Sequence, residues 1–127
     1  MSQRISQYDS NEVDALLRVY AETSTLGADL EMVKRTCQRF LALVTNRSYP
    51  NPLPLDHSNQ DFMQAIGPDE YSTLHGSAHN VKKAQEKAGR LKRQLGDYSD
   101  IPAVQERLRL IGEAEGVMAA ALEMVRL

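Results

Sequence analysis

Residues 68–96 read PDEYSTLHGSAHNVKKAQEKAGRLKRQLG, and residues 100–126 read DIPAVQERLRLIGEAEGVMAAALEMVR. In the first stretch apolar side chains fall at Tyr71, Leu74, Ala78, Val81, Ala84, Ala88, Leu91 and Leu95. In the second they fall at Ile101, Val104, Leu108, Ile111, Met118, Leu122 and Val125, with Glu115 standing alone on the seam. Steps of three and four repeat with the period of a helix, and a near-seven-residue repeat keeps one narrow stripe facing a partner. Pro68 suits a first helical turn, and Asp69 and Glu70 suit its positive dipole end. Gly96 closes the helix 68–95, Asp97-Tyr98-Ser99 forms a turn, and Asp100 caps a helix 100–126 with Pro102 in its first turn. Two helices of about 27 residues, each about 40 Å long, should fold back on each other as a hairpin.

The rest of the chain extends this pattern. Asp9-Ser10-Asn11-Glu12 has the form of a capping box, so a helix is expected to begin at Asp9. Val13, Leu16, Leu17 and Tyr20 supply its first apolar face. Leu26, Leu30, Val33, Cys37, Phe40 and Val44 then follow with 4-3-4-3-4 spacing. Gly27 lies between the two runs, so a helix spanning about 9–46, either continuous or kinked near 24–28, is predicted. Residues 47–57, RSYPNPLPLDH, hold prolines at 50, 52 and 54 and form an extended connector. Leu53 and Leu55 should lay it along the helices rather than leave it swinging. A short helix 58–66, capped by Ser58, completes the set, and no segment shows a strand alternation. The fold class read from these patterns is all-α: one domain, residues 1–127, as an antiparallel three- to four-helix bundle with coiled-coil-like long helices.

Composition is consistent with that fold. The chain has 127 residues, 42% of them hydrophobic and 25% charged, which suits a single globular domain. Its 15 Lys+Arg against 17 Asp+Glu give a net charge of −2, which argues against a histone-like cationic coat. Trp is absent and Phe and Tyr are few, so Leu, Val, Ile, Met and Ala must build the core. No stretch approaches the roughly 18 apolar residues of a membrane span. MSQRISQYDS carries no apolar run of the kind a secretory signal needs, and Cys37 is the only cysteine. A reducing, cytoplasmic setting is therefore expected, and the Asn46-Arg47-Ser48 sequon is read as coincidental.

Several features could carry recognition or chemistry. Residues 82–93 hold Lys82, Lys83, Lys87, Arg90, Lys92 and Arg93 against Glu86 alone, a local charge of +5. Lys83, Lys87 and Arg90 share one stripe, with His79 one turn earlier. Such a stripe can meet phosphates or an acidic protein, or be offset by carboxylates on neighbouring helices; the last is favoured. No aromatic residue interleaves it, so single-strand stacking is not supported. His75 and His79, four apart, could supply two metal ligands. However, Gly76 stands where a zinc-protease helix needs Glu, and His57 could join only if the connector folds back. Cys37 lies on the apolar seam as an inert thiol, the glycines are scattered singly, and no catalytic residue, cofactor or metal site is assigned.

Glu115 must be paired, or reach water if Gly112 and Gly116 let the helix turn. Residues 117–125, VMAAALEMV, carry two adjacent apolar seams where one intramolecular face needs one. Val117, Met118, Ala121, Met124 and Val125, together with Lys83, Lys87 and Arg90, are thus the candidate partner-binding residues. The leading expectation is a non-enzymatic protein–protein interaction module: an adaptor, small chaperone or regulatory inhibitor that binds a protein partner or itself as a homo-oligomer. A nucleic-acid-associated regulator using the face 82–93 comes second. A small metal protein or enzyme using His75 and His79 comes third, and no membrane association is expected.

Overall fold

A computed structural model describes residues 8–127. The chain is mostly helical. Among the described residues the helices are α1 (Ser10–Thr23), α2 (Leu26–Val44), α3 (Gln60–Ile66), α4 (Pro68–Gly96) and α5 (Pro102–Glu123). Two short strands, β1 (Leu53–Pro54) and β2 (Val125–Arg126), pair in parallel. No helix among the described residues is long and apolar enough to cross a membrane.

The Asp9 cap forms as its spacing predicts, with the carboxylate accepting from the Glu12 N–H at 2.8 Å. The helix expected over 9–46 is divided by a two-residue joint at Ser24-Thr25, within the stretch 24–28, and Gly27 lies inside the second helix. Thr23, Ser24 and Thr25 each turn a hydroxyl back onto the carbonyl three residues earlier, at 2.5, 2.6 and 2.9 Å. The backbone N–H groups of Ser24 and Thr25 also bond three residues back. These local bonds tighten the turn and bend the helix. Both joint residues keep right-handed helical dihedrals, so the apolar seam is not thrown out of phase. Leu16 and Thr23 on one side are followed in register by Leu26, Val33 and Phe40 on the other, all buried.

The connector is packed against the helices, as Leu53 and Leu55 suggest: both are fully buried. Their amides would be costly to bury unpaired, and they donate to the carbonyls of Met124 and Arg126, each at 2.9 Å. This demand explains a departure from the predicted helix 100–126, which instead ends at Glu123 so that Val125–Arg126 can pair with Leu53–Pro54. It also adds a bridge that alternation could not reveal, because two residues carry no period.

Two further caps differ from expectation. Asn59, not Ser58, caps α3, its side chain accepting from Phe62 N–H at 2.9 Å. Ser58 donates its hydroxyl to Asp56 instead. Ile101 occupies the cap position of α5 with no side-chain cap bond. Asp100 accepts the Tyr8 hydroxyl at 3.3 Å. Between α3 and α4 a single residue, Gly67, ends one helix and starts the next at φ +91°, a conformation that favours glycine.

The core lies where α2, α4 and α5 face one another, α4 and α5 sharing the largest contact. Val33, Phe40, Leu74, Leu91, Ile111 and Met118 are fully buried there. On α5 the buried line is Val104, Ile111, Ala114, Met118 and Ala121, and Val125 of β2 continues it. It runs between the two seams visible in the sequence. Ala114 takes the inward position, and Glu115 falls to the edge, half-buried.

Candidate interaction surfaces

The basic stripe is largely engaged within the chain. Arg90 grips the Glu22 carboxylate of α1 through two contacts, at 2.6 and 3.2 Å. Lys87 bonds Asp29 of α2 at 3.0 Å and also reaches Thr25. Lys92 pairs with Glu115 of α5 at 3.3 Å. Arg39 of α2 pairs with Glu70 at the other end of α4. Partners thus ascend along α1 and α2 (22, 29, 39) as they descend along α4 (90, 87, 70). The bond from Arg90 holds the Glu22 carboxyl below its ordinary range, and the same contact raises Arg90. Lys83 is exposed beside Asp29, Met32 and Lys87.

The C-terminal candidates are also placed mainly inward. Met118, Ala121 and Val125 are buried in the chain's own core, and Val117 and Met124 are half-buried against it. The surplus seam of 117–125 is covered partly by the connector, whose Leu53 pairs with Val125.

The histidines are brought together. The connector does fold back, and the His57 ring centroid lies 5.2 Å from that of His75, which lies 4.5 Å from that of His79. Tyr71 anchors this row. Its buried phenol accepts the His57 backbone N–H at 2.9 Å and donates to the Pro54 carbonyl at 3.4 Å. His57 itself sits in the left-handed backbone region at φ +64°, which is disfavoured without glycine, so its conformation depends on such contacts. Burial pushes His75 below the ordinary histidine range, and charge on His79 and His57 pushes in the same direction. No group of three or more histidine, cysteine or carboxylate side chains among the described residues is placed to hold a metal ion. Cys37 is a free, half-buried thiol packed against the core.

An additional surface lies on the flank where α1 and α2 meet α5. Leu17, Leu41 and Leu110 are 58%, 54% and 42% exposed. Leu17 borders an apolar depression with Tyr20, Ile101 and Ala103. Leu110 borders a second one, about 210 Å³, with Leu26, Gly27 and Leu30. Arg107 joins the two, its guanidinium 4.4 Å from the Tyr20 ring centroid while it also lines the second depression. Helical spacing puts Leu41 on the same face of α2 as Gly27, Leu30 and Lys34. Leu17, expected on the apolar face with Leu16, points outward instead, because it directly follows Leu16, which takes the inward position. No protein-family model, curated protein or solved structure matches the chain.

Proposed function

We propose that this chain is an antiparallel helical bundle with coiled-coil-like packing, acting as a protein–protein interaction module of the adaptor, small-chaperone or regulatory-inhibitor kind. The observation that carries this reading is the apolar flank around Leu17, Leu41 and Leu110. Leu17 and Leu110, exposed beside two concave, apolar depressions, favour contact with another protein surface, and Leu41 adds an exposed leucine on α2. The descending order of the ion pairs supports the antiparallel arrangement. A homo-oligomer or a hetero-complex would both use the same flank, and the single half-buried thiol suits a cytoplasmic setting.

The nucleic-acid alternative is less favoured because Lys87 and Arg90, central to its stripe, already hold Asp29 and Glu22. Deleting 117–127 is a poor test of the leading reading, since it removes Met118 and Ala121 from the core. Substituting Leu17→Ser with Leu110→Lys is cleaner. Helix content by circular dichroism should stay unchanged. Solution mass, or the species retained by affinity capture with mass spectrometry, should change relative to the native chain. Identical mass and identical capture by both proteins would remove the flank as the interaction surface.

A further inference from the structure

We propose that His57, His75 and His79 form an acid-released clasp that holds the connector onto α4 at neutral pH. The three imidazoles stand in a row, 5.2 and 4.5 Å between successive ring centroids, and span two elements: His57 on the connector, His75 and His79 on α4. While neutral, the rings contact each other and the Tyr71 ring, whose centroid is 5.3 Å from that of His57 and 6.4 Å from that of His75. Once two neighbours carry protons, like charges face each other at close range, and the strain falls on the element with fewer holds. That element is the exposed His57 end of the connector, since Leu53 and Leu55 are held separately by Met124 and Arg126. Its turn at His57 is held by one backbone bond to Tyr71 and by a left-handed conformation that a freed histidine abandons readily.

At His75 no carboxylate offsets this repulsion. The charges acting on His75 are those of His79 and His57. On α4, Glu70 is turned to Arg39 of α2, while Asp69 lies in the first turn and Lys82 and Lys83 follow His79. On the connector, Asp56 takes the hydroxyl and N–H of Ser58 and feels Arg126 of β2. Asp61 occupies the first turn of α3. The direction of the His75 shift gives the sign. Its docked form disfavours the proton, so docking is at full strength above the ordinary value of 6.5 and weakens as pH falls below it. Release would free the His57 turn from Tyr71, while Leu53 and Leu55 stay buried and bonded to Met124 and Arg126.

Amide hydrogen exchange on the full chain tests this, compared at about pH 7.5 and about pH 5.5 after correction for intrinsic rates. Protection at the His57 amide is expected to fall about tenfold at the lower pH, while Leu53, Leu55, Ile111 and Met118 keep theirs. In a His75→Gln, His79→Gln variant the His57 amide should show the same protection at both pH values. Should that variant lose helix content, His79→Gln alone, at an exposed position, is expected to move the opening to lower pH. Equal wild-type protection at both pH values would overturn the clasp. So would a loss that persists undiminished in the histidine variants.

Discussion

Two of the interruptions in the helical path, at residues 24–25 and at 45–59, differ in kind. At the first, hydroxyls from Thr23, Ser24 and Thr25 satisfy carbonyls three residues back, and both joint residues stay helical. The seam therefore crosses the bend in phase, from Leu16 and Thr23 to Leu26 and Val33. At the second, prolines at 50, 52 and 54 remove amide donors and forbid helix, so the chain must find its hydrogen bonds elsewhere. It finds them on Met124, Arg126 and Tyr71. A side-chain hydroxyl bends a helix without ending it; proline ends it and makes the segment depend on distant partners.

Substitutions can break this contrast, beginning with the connector. Leu55→Ala would empty a fully buried site, at a cost of about 2–5 kcal/mol, read as a lower urea midpoint. A loss below about 1 kcal/mol would mean that the connector contributes little to the core. A smaller effect is expected at the ion pair beside the joint. Glu22 is held below its ordinary 4.5 by Arg90, so its contribution is present above that value and is lost as pH falls through the depressed one. Glu22→Gln should therefore be slightly less stable than the native chain at neutral pH, with the difference vanishing in stronger acid. That window lies below the one expected for the histidine row, so a pH titration of stability separates the two. The smallest effect belongs to Ser24→Ala, an exposed joint residue. Removing its back-bond while improving helix propensity should shift stability by no more than about 0.5 kcal/mol, measured by thermal unfolding. A large loss there would show that the bend itself is required.

Much of the helical architecture was legible because periodicity reports burial directly. The stripe Tyr71 to Leu95 is buried throughout, and Asp9 caps where its spacing to Glu12 says it should. What escaped were features set by competition between neighbours. Asn59 and Ser58 are both good caps, and only the Asp56 carboxylate, by taking the Ser58 hydroxyl, leaves the position to Asn59. Ala114 and Glu115 could each follow Ile111 along a heptad, and Lys92 on α4 draws Glu115 to the edge. The candidate surfaces were legible as charge and apolarity but not as exposure. Carboxylates that engage Lys87 and Arg90 lie about 60 residues away, a distance local patterns do not cross. The closeness of His57 to His75 depends likewise on the connector's return path.

The pairing of β1 with β2 also imposes an order in time. The amides of Leu53 and Leu55 take acceptors about seventy residues further along the chain. A ribosome working from the N-terminus therefore exposes the proline connector long before its strand partner exists. The helices 10–44 and 68–96 can meet early, but Leu53 and Leu55 lack their backbone acceptors until α5 is complete and the backbone has turned out of it at Met124. The connector's closure is accordingly a late event in the making of this molecule.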